Sequence, residues 1–358
     1  MENKKKILLI SNLYPSKHTP YYGSFIKNFE DELKMDTRVQ SVKGIFIKGF
    51  TTNFVLKIFK YFIYYIKILF FSLFGKYDLI YVHLISHSTI PLRLIDKIKS
   101  LPLVFNIHGE DLLVTTPLAR RLLNLSLPLI KKAQFLVVPS NYFKKITHIQ
   151  IADYPENKII VSPSGGIKNI FKPLEIPKPI SKTINIGYVS RIDRGKGWHT
   201  LIEAVKLLNK ENIDINVSIV GGGPQTELLN TIIKKDSINN VVCMGPIAHD
   251  ALPTFYQSLD LFIFPTQLRE SLGLVGLEAM ACGIPVIGSK IGGLTDYIRD
   301  EYNGFFFTPG DSRELANKIK LFSKLDIEQR KNLSENSVIT SKDYSDKIIS
   351  SRLFDIIL

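Results

Sequence analysis

Asp260-Leu261-Phe262-Ile263-Phe264 is an apolar run too short for a helix and is closed by Pro265, whereas Leu274 to Cys282 reads as helical until Gly283 and Pro285 stop it. Gly283-Ile284-Pro285-Val286-Ile287-Gly288-Ser289 then forms a second strand, followed by the glycine turn Gly292-Gly293. Strand, loop, helix and strand in that order make a βαβ unit, whose strands must run parallel because a helix carries the crossover. This unit confines the chain to the α/β class.

The loop inside the unit carries Glu270, and Glu278 follows eight residues on, two turns along the helix at about 3.6 residues per turn, so both carboxylates can face one crevice. Ser271 and Gly273 place backbone amides at a helix N-terminus beyond a strand's carboxyl end. There an anion such as a nucleotide phosphate is stabilised by unpaired N–H groups and the helix dipole. Taken alone, Glu270 reads better as a complement to the dipole, and Glu278 as part of a solvated face, as most glutamates at such positions are.

At 358 residues and 45% hydrophobic composition, the chain is long enough for two domains with real cores. Two cysteines, Cys243 and Cys282, with no C-x2-C spacing, exclude a disulfide framework and favour a reducing cytoplasm. Met1 to Lys6 followed by Ile7-Leu8-Leu9-Ile10 mimics a signal peptide, but an apolar core this short reads as a first strand. The net charge of +13 is uneven. Residues 1–175 hold 25 Lys and Arg against 12 Asp and Glu, and residues 176–358 hold 21 of each. The first half is therefore expected to meet an anionic partner, and since no nucleic-acid motif accompanies the charge, an anionic membrane surface is the expectation and nucleic acid is not.

Lys6 to Asn12 reads as a strand, and the loop from Leu13 to Ser24 brings Gly23 to the start of a helix at Phe25. That arrangement suits a phosphate cradle, but with no G-x-G-x-x-G present Gly23 reads also as a simple helix-entry turn. Phe50 to Phe74 mixes aromatic and aliphatic residues with Lys57, Lys60 and Lys67 on one helical face. Three lysines argue against a membrane span, which needs about 20 largely uncharged residues. A core helix and a helix lying in a lipid surface remain evenly open.

Tyr77 to His83 and Leu103 to His108 are further strands, each ending in a histidine. His83 reads as structural. His108 is followed by Gly109-Glu110-Asp111, so an imidazole and two acids gather where open α/β sheets bind ligands. Gln134 to Ser140 and Lys158 to Ser162 finish the first sheet, and Pro163-Ser164-Gly165-Gly166 opens a connection marked by Pro173, Pro177 and Pro179. Ile184 to Ser190 begins the second domain. Arg191 and Lys196-Gly197 then sit in the loop before the helix Trp198 to Asn209, where cations can hold a diphosphate. Val217 to Val220 leads into the glycine turn Gly221-Gly222-Gly223, Val241 to Ile247 is the next strand and turn, and a last helix is expected from Ser341 to Leu358.

Glu270 and Glu278 at E-x7-E spacing, with Arg191 and Lys196-Gly197 at R-x4-K-G spacing, resemble the retaining GT-B glycosyltransferases of family four (glycosyl transferases group 1), of the capsular, exopolysaccharide or O-antigen type. The resemblance implies the GT-B fold: two Rossmann-like α/β domains facing across a cleft. Residues 1–175 would form the acceptor side and 176–340 the nucleotide-sugar side, with 341–358 a helix crossing back to the first domain. It further implies transfer of a hexosyl unit from a UDP- or GDP-linked sugar to a saccharide or lipid-linked acceptor. Configuration is retained. No carboxylate cluster suggests a metal site, so neither metal nor another cofactor is expected, and the charge excess before residue 176 together with Phe50–Phe74 leads to the expectation that the enzyme sits peripherally on the inner face of the cell membrane.

By the same resemblance, Glu278 holds the ribose, Glu270 the donor sugar hydroxyls, and Arg191 and Lys196 the departing diphosphate. Gly23 closes over that diphosphate. Gly222 lies near the nucleotide, the backbone from Met244 to Ile247 holds the base, and Ser271, Leu272, Gly273 and Leu274 line the donor. His108 contacts the sugar from the other domain, with Glu110 and Asp111 on the acceptor side. Ser164-Gly165-Gly166-Ile167 stands where many relatives show Asn-Gly-Val-Asp, so whatever that asparagine or aspartate does is not expected here. Two other readings stay open: a nucleotide-sugar epimerase of the same fold, whose acids would lie elsewhere, and a non-catalytic sugar-nucleotide-binding homologue.

Overall fold

The computed structural model describes residues 4–19, 22–109, 111–114, 116–163, 165–176, 178 and 181–358. Glu110, Ser164, Pro177 and Pro179, named above, lie outside the described residues. The chain divides into two compact units, one made of Met1–Gly165 with Ile349–Leu358, the other of Gly166–Ile348.

In the first unit the order is β1 (Lys5–Tyr14), α1 (Ser24–Met35), β2 (Val39–Lys48), α2 (Phe54–Phe74), β3 (Leu79–His83), α3 (Ile85–Asp96), β4 (Leu103–Asn106), α4 (Pro117–Ile130), β5 (Phe135–Val138), α5 (Asn141–Gln150) and β6 (Ile159–Val161). The strands form a parallel sheet in the order β2-β1-β3-β4-β5-β6. Ile7 to Ile10 are all fully buried, as expected of a central parallel strand covered by helices on both faces. At the sheet edge, β2 mixes buried and exposed residues: Ile45 and Ile47 lie in the core with Leu8 and Ile10, and Val39 lies in the opposite core with Ile7 and Leu9. The sequence reading did not anticipate this strand.

The second unit repeats the plan with β7 (Ile184–Val189), α6 (Trp198–Lys210), β8 (Ile215–Val220), α7 (Thr226–Lys235), β9 (Val241–Gly245), α8 (Leu252–Gln257), β10 (Leu261–Phe264), α9 (Leu274–Ala281), β11 (Val286–Ser289), β12 (Gly304–Phe307), α10 (Ser312–Ser323) and α11 (Ile327–Lys342). Its parallel sheet runs β12-β11-β10-β7-β8-β9. Asp326 and Gln329 cap α11 reciprocally.

The expected single helix from Ser341 to Leu358 is corrected by the structure. The chain leaves helical geometry at Asp343–Ser345, and α12 (Asp346–Ile357) starts afresh. The break has a backbone cause: Ile167 N donates to Tyr344 O at 2.7 Å, and Asp346 N donates to Ile167 O at 3.0 Å. Because Ile167 already pairs with this segment, the units divide at Gly165/Gly166 rather than 175/176, and the return falls at Ile348/Ile349 rather than 340/341. From Ile349 on, α12 belongs to the first unit and buries Leu353 and Phe354 with Ile7, Leu9 and Phe29.

Candidate functional site

In the second unit the chain lays β7, β8 and β9 down to one side and then returns to place β10 on the other side of β7. Such a reversal of strand order opens a crevice at the strands' carboxyl ends, between the loops that follow β7 and β10. Gly197 fixes how closely those loops meet. With φ +79° it caps α6 in a left-handed conformation, and a Cβ there would stand 1.7 Å from Pro265 O at the end of β10. Gln267 N donates to Gly195 O at 2.7 Å across the same junction.

This contact carries Lys196 to Glu270. Lys196 Nζ donates to Glu270 Oε1 at 2.8 Å, and Thr266 Oγ1 donates to the same oxygen at 2.8 Å. Both charged side chains are half-buried, so the pair is only partly screened by water. The backbone of Glu270 is fixed from behind, where Gly293 N donates to Glu270 O at 2.9 Å. A Cβ on Gly292, at φ +61°, would come within 2.7 Å of that carbonyl oxygen, so the second glycine turn exists to seat the acid-bearing loop. Arg191 does not join this group. Its Nη2 donates to Asp193 Oδ2 at 2.8 Å, with most of its side chain in solvent.

Glu278 sits on α9 and is buried, with a separate set of partners: His249 Nε2 lies 2.9 Å from Oε1, and Tyr256 O–H donates to Oε2 at 3.3 Å. Burial, reinforced by the Glu278 charge, pushes the Tyr256 hydroxyl well above its ordinary pKa, so it stays a donor. Phe171 meets the His249 ring edge-on at 5.2 Å. At the start of α9, Gly273 takes φ +85° as the cap, and its carbonyl accepts from Tyr297 O–H at 3.1 Å. Leu272 is buried in the core, so only its backbone can serve a ligand, while Ser271 and Leu274 are half-buried. Gly222 lies just past β8, where its carbonyl accepts from Ile192 N at 3.1 Å, and Met244 and Ile247 lie at the end of β9 and in the turn after it.

The first unit has its own reversal between β1 and β3, and β3 and β4 deliver His83 and His108 to the sheet's carboxyl edge. The rings stack at 5.2 Å with His83 Nδ1 3.0 Å from His108 Nε2, so one nitrogen donates and the other accepts. Burial, with the His108 ring adding to it, holds His83 well below its ordinary pKa, and burial lowers His108 to about 4. Both imidazoles are therefore neutral at physiological pH. Asp111 organises the turn: its Oδ1 accepts from His108 N and Gly109 N, both at 3.0 Å, and Oδ2 accepts from Ile85 N at 3.3 Å. Burial raises its carboxyl to about 6. His83, His108, Asn106, Ser162, Gly165 and Phe25 border a cavity of about 20 Å³, room for one water molecule. Gly23 caps α1 at φ +76°, two residues before Phe25, whose ring lies 4.8 Å from His108.

Thus Glu270, Lys196 and the α9 start come together, as do His108 and Asp111, whereas Arg191 stands apart with Asp193. Thr266, Tyr256, His249 and the partnership of His83 with His108 were not foreseen. Of these only Thr266, four residues before Glu270, had a local cue.

Residues 160–338 match the family described as glycosyl transferases group 1. An uncharacterized glycosyltransferase of Methanocaldococcus jannaschii is 26% identical over 270 residues, 75% of this chain and 71% of that protein. The capsular polysaccharide biosynthesis glycosyltransferase CapM of Staphylococcus aureus is 32% identical over 180 residues, 46% of each chain. Among solved structures, Anabaena HepE in complex with UDP superposes with a TM-score of 0.76 at 21% identity, over 99% of both chains. The two six-stranded parallel sheets with their helices are the GT-B architecture. The chain belongs to the glycosyl transferases group 1 family.

Proposed function

We propose that this chain is a retaining hexosyltransferase, moving a sugar from a nucleoside-diphospho-sugar to a saccharide or lipid-linked saccharide acceptor in surface polysaccharide synthesis. The observation that carries the reading is Lys196 and Thr266 converging on one oxygen of Glu270 at the reversal of the second sheet. A cation, an acid and a helix N-terminus at that place suit a substrate that is a sugar on one side and a diphosphate on the other.

In the step proposed, the bond from the anomeric carbon to the phosphate oxygen breaks while the bond to the acceptor oxygen forms on the same face. The acceptor's hydroxyl proton passes to the leaving phosphate oxygen. Negative charge grows on the diphosphate, and Lys196, Arg191, the first amides of α9 and those at Gly23 stabilise it without a metal. Glu270 orients the sugar hydroxyls, and Glu278, held by Tyr256 and His249, receives the ribose. His108 would meet a sugar hydroxyl as a neutral imidazole, with Asp111 positioning its loop and Glu110 on the acceptor side.

A uridine donor is the first to try, because HepE is solved with UDP, and the CapM likeness favours a capsule-type product. The charge excess of the first half supports work at the inner face of a membrane. Incubation with a panel of UDP- and GDP-sugars should release nucleoside diphosphate from one donor class. Chelator should leave the rate unchanged, and NMR of the product should show the donor's anomeric configuration. Glu278→Gln should weaken binding of the bare nucleoside diphosphate, and Glu270→Gln should spare it while slowing transfer. Equal loss of nucleotide affinity in both variants would refute the division of roles, and an inverted product would refute the mechanism.

A further inference from the structure

We propose that α2 is a membrane anchor that lies in the surface of an anionic bilayer, with one apolar face among the lipids. Its attachment is independent of the transfer chemistry and specifies how the first unit would meet a membrane. The sequence left core helix and interfacial helix open, and the structure shows a helix that does half of each. Tyr64, Ile68 and Ser72 are buried, and Tyr64 O–H is 2.7 Å from Ser88 Oγ on α3, which holds this side against the unit. On the other side, Val55, Phe59, Phe62, Ile66 and Phe70 are 48–74% exposed. At about 100° per residue these five fall within an arc of roughly 80°, a continuous apolar stripe along the helix. An apolar face of this extent, three of its five side chains aromatic, exceeds the scattered exposed hydrophobics of an ordinary surface.

The charge around the stripe names the partner. Residues 39–77 hold six Lys and no Asp or Glu. Lys60 and Lys67 border the stripe along one edge, and Lys60 Nζ donates to Lys48 O at 3.0 Å, tying that border to β2. An apolar face with a cationic margin and no acid suits the boundary between acyl chains and anionic headgroups. It does not suit a second copy of the chain, since two such faces would set their cations against each other. Nor does α2 cross the bilayer: no described helix is long and apolar enough to do so, and its inner face is engaged in the unit's core.

Co-sedimentation with phosphatidylcholine vesicles, with and without about a third phosphatidylglycerol, tests the proposal. The native chain should bind the mixed vesicles at least about 10-fold more strongly than neutral ones. Phe59→Ser/Phe62→Ser/Phe70→Ser should cut that binding on the order of 100-fold. The melting temperature and nucleotide binding of that variant should stay native, since the three rings are exposed. A Phe62→Trp reporter should shift to the blue on the mixed vesicles, against the constant background of the buried Trp198. Unaltered vesicle binding by the triple variant overturns the proposal, as does the absence of any binding by the native chain. A native dimer in buffer that the triple variant dissolves, without vesicle binding, assigns the face to a second copy instead. Loss of vesicle binding with intact sugar transfer leaves the reading of the active site untouched.

Discussion

Lys196 and Arg191 are both cations of one loop, yet they are held in opposite ways. Lys196 is half-buried against Glu270, and Arg191 extends into water beside Asp193. A group already fixed in a water-poor site stabilises developing charge without reorganising, so Lys196→Ala should lower kcat by about 100-fold or more, with a smaller change in KM. Arg191→Ala, removing a solvated charge, should cost less. Steady-state kinetics with the native donor decides, and wild-type turnover in the Lys196 variant would remove it from the step. The histidine pair carries a second expectation. Folded His83 and His108 bind protons only well below the ordinary value of 6.5, whereas unfolded histidine binds them near it. Their contribution is therefore complete above about pH 6.5 and is lost as pH falls toward about 4. Asp111, raised to about 6, opposes this over part of the window, because the folded unit keeps a proton that the unfolded chain releases. Two imidazoles outweigh one carboxyl, so denaturant titrations should find the first unit less stable at about pH 5 than at about pH 7. His108→Gln should flatten the difference.

At the level of elements, the site depends on a helix start packed against a strand end. Gly197→Ala would put a Cβ into Pro265 O and force a side chain into left-handed backbone, so α6 must shift away from β10. The cost should be about 1–3 kcal/mol or more of stability, and turnover should fall with it because Lys196 moves too. A variant with native melting temperature and native kcat would show that the junction is loose. Most of this framework was legible in the residues: the Leu261–Phe264 strand, the helix from Leu274, the glycines at 197 and 292, and the strand ending at His83 were readable from apolar run lengths and breakers, whereas the next strand stops at Asn106, two residues short of the expected His108. What escaped depended on partners distant in sequence. β2 shifts register between Val39 and Ser41, so Val39 turns to one core and Ile45 and Ile47 to the other, which blurs its pattern. The break at Asp343–Ser345 is imposed by Ile167, far upstream. Tyr256 and His249 acquire meaning only once α9 brings Glu278 between them. For α2, apolar residues surround most of the helix, so periodicity could not tell which side the core would take.

Across the whole molecule, the first unit is completed by residues that follow the second. Leu353 and Phe354 are nearly fully buried there, and the Phe354 ring meets Phe29 at 5.6 Å. Leu353→Ala or Phe354→Ala should each cost about 2–5 kcal/mol, felt by the first unit alone. Trp198, the single tryptophan, is buried in the second unit with its ring nitrogen donating to Gln225, so its fluorescence reports that unit separately. The expected result is an earlier unfolding transition by far-UV circular dichroism with an unchanged tryptophan transition; coincident shifts of both would mean that the units unfold as one. Ser350 donates to Glu32, and Arg38 Nη1 donates to Asp355 Oδ1, across separations of 318 and 317 residues. On the ribosome, then, the unit begun first is finished last. While the intervening sheet emerges and folds, the apolar face around Ile7, Leu9 and Phe29 waits uncovered, and a nascent chain stalled before Ile349 should hold that surface open to chaperones and proteases.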